Sequence, residues 1–150
     1  MTLSEKVIHL LIEEAEKARN MAYAPYSKYL VGAALVVPSG KIYTGCNVEN
    51  ASYGLTNCAE RTAVYKAVSE GQRHIDAIAI VGGPLIEGDA DSDAGDSLKV
   101  KESYAYPCGA CRQVLSEFLP ESGDIYIIVA NGVDDYKVFA LSELIPYTFK

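Results

Sequence analysis

Cys58, Cys108 and Cys111, with Glu60 two residues beyond the first of them, are the residue types that a hydrolytic metal centre needs. Zinc takes thiolates readily, and a working site commits three protein ligands and leaves the fourth position to water. The ion draws the pKa of that water from about 15.7 toward roughly 7, so a nucleophile becomes available at neutral pH. A carboxylate nearby that is not itself a ligand can then carry protons. Pro107-Cys108-Gly109-Ala110-Cys111 sets two sulfurs three residues apart at the start of a helix, on one face. Cys58 opens another helix, and helix N-termini favour thiolates. A lone cysteine reads first as a small buried hydrophobe, but C-x-x-C behind a proline reads as a metal motif.

Cys46 is the fourth cysteine, and a closed Cys₄ centre is the principal rival to an open, catalytic one. Neighbours on a strand point to opposite faces, so Asn47 and Glu49 share a face while Cys46 turns away from them, toward the core. Glu60 stands about 200° around a regular helix from Cys58, a poor position for a second inner ligand but a good one for reaching water or substrate from the side. Its competing use is a capping box with Asn57. Three thiolates overbalance one Zn²⁺, so a positive group should temper them. Arg61 and Arg112 follow the motif residues, and at least one is expected to donate to a thiolate sulfur.

These groups need elements to hold them. Thr2-Leu3-Ser4-Glu5 has capping-box spacing, and Val7, Leu10, Leu11, Ala15 and Ala18 recur at helical period until Ala24-Pro25. Strands are expected over 29–37 and 41–47, joined at Ser39-Gly40 as a hairpin. A helix over 58–70 closes at Gly71, and a buried strand covers 75–81. Pro107 suits the first position of a helix running to Phe118. Strands over 125–130 and 136–140 flank a turn at Asn131-Gly132, and a short helix covers 142–145. Helices alternating with strands imply an α/β fold, with helices on both faces of the sheet. Residues 1–150 read as one domain, with 82–106 as an irregular acidic loop. The Asp89, Asp91 and Asp93 spacing in that loop faintly resembles a calcium loop. Val100 occupies the position where a bidentate Glu would stand, so a solvated loop is the better reading.

The balance of 20 acidic and 13 basic side chains, net −7, argues against nucleic acid as a partner. No apolar run is long enough for a membrane span, and the acidic, amphipathic start is unlike a secretory signal. A cytoplasmic location is expected, where C-x-x-C is more often metal-binding or redox-active than a structural disulfide.

Four blocks carry a closer likeness: Val31-Gly32-Ala33-Ala34-Leu35, the stretch from Gly45-Cys46-Asn47 to Ser52-Tyr53-Gly54, Cys58-Ala59-Glu60-Arg61-Thr62-Ala63, and the stretch from Pro107-Cys108 to Gln113-Val114. In this order they closely resemble the cytidine deaminases, the small homotetrameric class of pyrimidine salvage within the zinc deaminases, whose site combines Cys and His ligands with a non-ligand Glu. The likeness runs from about Ala15 to Phe149, the acidic loop excepted. It implies a three-layer α/β/α fold around a central mixed five-stranded sheet, and one zinc per subunit on Cys58, Cys108 and Cys111. It implies Glu60 as proton shuttle in the hydrolytic deamination of cytidine and 2′-deoxycytidine, with Asn47 and Glu49 on the ribose hydroxyls. Tyr29, where the family usually has Phe, and Ala59 are implied as further substrate contacts. Phe149 resembles an aromatic that closes a neighbouring subunit's site, Arg61 the residue that tempers the thiolates, and Tyr53 a residue near a subunit contact. Two departures stand out: Tyr106 precedes Pro107 where the family often has Ser, and 82–106 is longer than usual. A cytosine-containing antibiotic is the alternative substrate, and a structural zinc module the non-enzymatic alternative.

Overall fold

A computed structural model describes residues 3–86 and 103–150 of the chain. The acidic stretch 88–96, including its calcium-like spacing, lies outside the described residues. Helix α1 spans Glu5–Arg19, and Ser4 caps it by accepting from the Val7 N–H at 3.2 Å. Strands β1 (Tyr29–Val36) and β2 (Ile42–Cys46) follow, then α2 (Ala59–Ser69), β3 (Ala77–Pro84), α3 (Gly109–Ser116), β4 (Tyr126–Gly132), β5 (Asp135–Ala140) and the short α4 (Leu141–Leu144).

The five strands are ordered β2-β1-β3-β4-β5. Only β3 and β4 run parallel, the expected consequence of the α3 crossover between them, and the other pairs are antiparallel. Side-chain alternation divides the sheet into two dissimilar faces. Ala33, Leu35, Ile78, Ile80, Ile127 and Val129 pack with α2 and the first turns beyond it, together with Leu115 of α3. Their neighbours Ala34, Val36, Ala77, Ala79, Ile128 and Ala130 pack with Ile8, Leu11, Ile12 and Ala15 of α1. Alanines at four of those six positions let α1 lie close to the sheet, and the bulkier residues fill the deeper layer beneath α2 and α3.

Two strand glycines make helix contact physically possible. A Cβ on Gly32 would lie 2.0 Å from the Ala15 carbonyl oxygen of α1. One on Gly45 would lie 2.5 Å from the Ala63 nitrogen and 2.6 Å from the Ala59 oxygen. Both obstacles are backbone, which cannot turn aside as a side chain can.

Among the boundaries that differ from those expected, three have a clear physical cause. The N-cap of α1 is Ser4, two residues after the Thr2 start of the sequence signature. Strand β3 continues through Gly82 and Gly83 to Pro84, which pair with Val31, Leu30 and Tyr29, so the irregular region does not begin at 82. Gly82 serves there because a Cβ would meet the Ala105 methyl at 2.9 Å. The β4–β5 turn falls at Val133-Asp134, because a register shift between Ala130 and Gly132 carries Asn131-Gly132 into the strand. Gly45→Ala is expected to cost about 1–3 kcal/mol, the usual range for overpacking a tight contact, read as a lower denaturant midpoint at unchanged slope.

Candidate metal centre and substrate cavity

The N-termini of α2 and α3 converge beside the start of β1, and their caps are both cysteines. Cys58 (φ −76°, ψ 155°) and Cys108 (φ −69°, ψ 168°) hold extended cap conformations, and neither uses its side chain to cap its own helix. Each sulfur is therefore free to face the other across the junction. Cys111 enters from the first turn of α3 and is fully buried. The Sγ atoms of Cys58 and Cys108 lie 3.8 Å apart, those of Cys108 and Cys111 3.5 Å apart, and all three within 4.8 Å of one another. A tetrahedron with Zn–S bonds of about 2.3 Å has S–S edges of about 3.8 Å, so the sulfurs already outline such a face. A disulfide needs about 2.05 Å, and all four cysteines are free.

Among the described residues no fourth His, Cys, Asp or Glu joins this group. Cys46 ends β2, paired with Gly32, and is half-buried with Lys66 nearby; it is neither in the cluster nor in the apolar core where the strand pattern put it. Pro107 stands one residue before the cap of α3, not inside the helix as its type suggested, because Cys108 takes the cap. Arg112 spends its guanidinium on the Pro107 and Leu144 carbonyl oxygens, each at 2.7 Å. The thiolate partner is Arg61, whose Nη2 donates to Cys58 Sγ at 3.3 Å.

The three sulfurs do not share charge equally. Cys58 is lowered to about 5, first by donation from the Cys111 thiol and then by Arg61. The hydrogen bond that Cys111 donates to Cys58, with burial, drives Cys111 far up, and Arg61 is raised in turn by its bond to Cys58. One sulfur ionises readily and the next resists, and a divalent cation among the sulfurs would favour the full thiolate set. The buried Nε of Arg61 has no partner, a further sign of a site arranged around something more than its own side chains. Donor type, spacing and charge all fit zinc.

Glu60 follows Cys58 by two residues but sits inside α2, so the angle expected for two helical residues does not apply; Cys58 is the cap. Asn57 donates to the Thr62 hydroxyl at 3.1 Å, leaving Glu60 free of capping duty. The Glu60 carboxyl is 4% exposed and raised to about 7, chiefly by burial, with the Cys58 charge adding to it. It lines a cavity of about 230 Å³ together with Cys58, Cys108, Ala59, Asn47 and Tyr29. A larger cleft of about 490 Å³ at Val37, His74 and Asp76 lies at the opposite end of β1 and β3, away from the sulfurs.

The sugar-side candidates are arranged differently from one another. Asn47 is 8% exposed and its carboxamide bridges the strand backbone: Oδ1 accepts from Val31 N at 2.9 Å, and Nδ2 donates to the Tyr29 oxygen at 2.8 Å. An amide has four hydrogen-bonding positions, so half remain for a ligand. Glu49 lines an adjoining cavity of about 340 Å³ with Tyr26 and Tyr53, and Thr56 borders both spaces. Its carboxylate accepts from the Tyr26 and Ser27 N–H groups at 3.0 Å and from the Ser27 hydroxyl. Burial works to raise its pKa, yet these donors together hold it below the ordinary carboxylate value. Phe149 is 83% exposed and does not line its own chain's cavity; its backbone oxygen accepts from Gln113 at 3.1 Å. Sequence reasoning missed Thr56, Ile80 and Tyr104 as cavity residues. Tyr104 and Tyr106 bracketing a small Ala105 beside the metal motif were the signal available.

Residues 5–127 match the family model described as the cytidine and deoxycytidylate deaminase zinc-binding region. The chain is 46% identical over 140 residues to the cytidine deaminase of Halalkalibacterium halodurans, covering 93% of this chain and 92% of that one. It is 44% identical over 142 residues to the cytidine deaminase of Sporosarcina psychrophila, covering 95% and 90%. The crystal structure of cytidine deaminase from Burkholderia pseudomallei superposes with a TM-score of 0.76 at 43% identity, covering 94% of this chain and 98% of that one. Paired cysteine-capped helices, a buried carboxyl beside them and agreement over nearly the whole length place this chain in the cytidine and deoxycytidylate deaminase family.

Proposed function

We propose that this chain catalyses the hydrolytic deamination of cytidine and 2′-deoxycytidine to uridine and 2′-deoxyuridine, with release of ammonia, in pyrimidine salvage. The observation that carries this reading is the buried Glu60 carboxyl in one cavity with Cys58 and Cys108 of the three-sulfur cluster. Cys58, Cys108 and Cys111 hold one zinc per chain, and the bound ion supplies the positive charge that acidifies a water at neutral pH. Glu60 takes a proton from the attacking water, delivers it to ring N3, and afterwards protonates the departing amine. The C4–O bond forms and the C4–N bond breaks, with both water hydrogens accounted for in the products. A carboxyl that burial has raised toward neutrality is suited to both halves of that task. Arg61 tempers the thiolate charge through Cys58.

Asn47 and Glu49 hold the ribose hydroxyls. Tyr29 and Ala59 line the nucleoside pocket. Residues 1–150 act as one catalytic domain in the cytoplasm. The chain assembles as a homotetramer in which Phe149 closes a neighbour's site. Exposure of Tyr53 (73%), Leu55 (71%), Tyr147 (103%) and Phe149 (83%) supports burial of these apolar groups by partner copies. The balance of 20 acidic and 13 basic side chains argues against nucleic acid as a partner, and no described helix is long and apolar enough to cross a membrane.

Purified protein mixed with cytidine is expected to show the ultraviolet change of uridine formation, abolished by a chelator and restored by zinc. Free cytosine or a cytosine-containing antibiotic turning over faster than cytidine would remove the nucleoside assignment. Glu60→Gln is expected to keep its zinc by metal analysis and lose about 10²–10⁴-fold or more in kcat, the usual contribution of a positioned acid–base group. Cys58→Ser is expected to lose zinc while Cys46→Ser retains it; zinc loss on changing Cys46 would point instead to a closed, structural centre.

A further inference from the structure

Beside the metal motif, residues 103–106 form a strap outside any helix or strand. Ala105 turns inward, 7% exposed, against Gly82. Tyr104 and Tyr106 flank it, both line the cavity that holds Glu60, and both are gripped by one face of β5. Asp135, Lys137 and Phe139 alternate along that strand, and the last two pair with Val129 and Ile127, which face α2 and α3. The Tyr104 hydroxyl donates to the Asp135 carboxylate. Lys137 Nζ lies 4.4 Å over the Tyr104 ring and donates to the Tyr106 hydroxyl at 3.3 Å. Phe139 packs on Tyr106 with ring centroids 6.1 Å apart.

Tyr106 is half-exposed, and a surface tyrosine would ordinarily move aside for a ligand. This one is held at its hydroxyl and at its ring, so it is a fixed wall. Only Pro107 separates it from Cys108, and it shares the lining of the cavity with Cys58 and Cys108 as well as with Asn47 and Tyr29. In a cytosine nucleoside whose C4 approaches the metal ligands and whose sugar lies toward Asn47, the group beyond C4 is the exocyclic amine.

We propose that Tyr106, held by Lys137 and Phe139, is the specificity residue for that amine: its ring admits a primary amine and excludes an N4-alkylated one. This rests on the deamination of cytosine nucleosides proposed above. Lys137 is a positioning residue that acts through Tyr106. With either substrate the C4–N bond breaks and a C4–O bond forms, and the leaving group departs protonated as ammonia or as methylamine. One added methyl against a fixed wall typically changes kcat/KM by about 10–200-fold.

The test compares kcat/KM for cytidine and N4-methylcytidine, the latter followed by methylamine release, in the zinc-loaded enzyme and in Tyr106→Ala, Tyr106→Leu, Tyr106→Phe and Lys137→Met. The N4-methylcytidine to cytidine ratio is expected to rise about 10–200-fold in Tyr106→Ala and Tyr106→Leu, the range for one methyl group. Tyr106→Phe keeps the ring but loses the Lys137 bond, so it and Lys137→Met should each relax the discrimination partly. An unchanged ratio in either shortened variant that still deaminates cytidine overturns the proposal, so it stays open to refutation even if one of the two misfolds. Relaxation toward 5-methylcytidine in place of N4-methylcytidine overturns the assignment to the amine. An unchanged ratio in Lys137→Met removes Lys137 from its role. Failure of the unmodified enzyme to deaminate cytidine is a separate result, and it sinks the reaction itself.

Discussion

Three sulfurs within 4.8 Å of one another cannot all ionise unaided. At an effective dielectric constant of about 20, two like charges roughly 4 Å apart repel by about 4 kcal/mol, so each further thiolate costs more than the one before. The opposed shifts of Cys58 and Cys111 follow chiefly from the hydrogen bond that the Cys111 thiol donates to Cys58, which keeps one proton in the pair, with burial and neighbouring charge adding to the Cys111 shift. Both helix N-termini and the Arg61 guanidinium lower the repulsion without cancelling it, and a divalent cation completes the balance. The remainder of the architecture serves to hold two helix starts against each other while that charge is accommodated.

The sheet does this by controlling distance. On β2, Gly45 lets the backbone of α2 close directly onto the strand, and the Cys58 cap and Glu60 come with it. On β1, Gly32 performs the same service for α1 on the other face. The bulky layer of Ile78, Ile80, Ile127 and Val129 then supports α2 and α3 from below. A carboxyl as buried as Glu60 is tolerated because it lies at the cavity and can share a proton with what enters, whereas in a closed core it would be an unpaired cost.

Much of this was legible in the residues. Helical and strand periods located the four α-helices and five strands among the described residues to within a few positions, because long amphipathic segments signal strongly. They did not locate the 3-10 turn at Tyr53–Leu55, which buries no residue. The clustering of the three sulfurs was legible because C-x-x-C at a helix start has few other uses. Boundaries were less so: Ser4 displaced Thr2 as a cap, and Gly82-Gly83-Pro84, residues that normally end strands, stayed in β3 through pairing with β1. Local alternation could not separate Asn47, tied to the β1 backbone, from Glu49, which faces an adjoining space, because the chain leaves the regular strand at Cys46. The grip of β5 on Tyr104 and Tyr106 was invisible for a simpler reason. It joins residues about thirty positions apart through long side chains, and no spacing rule reaches that far.

Arg112 and Gln113 sit immediately after Cys111 and reach to the Leu144 and Phe149 carbonyl oxygens. Arg112 also holds the Pro107 oxygen at the approach to Cys108. The chain's last residues are thereby moored to the same helix turn that carries two of the sulfurs. In the assembly proposed above, a neighbour that takes hold of the aromatic tail would grip a tether that ends beside those sulfurs.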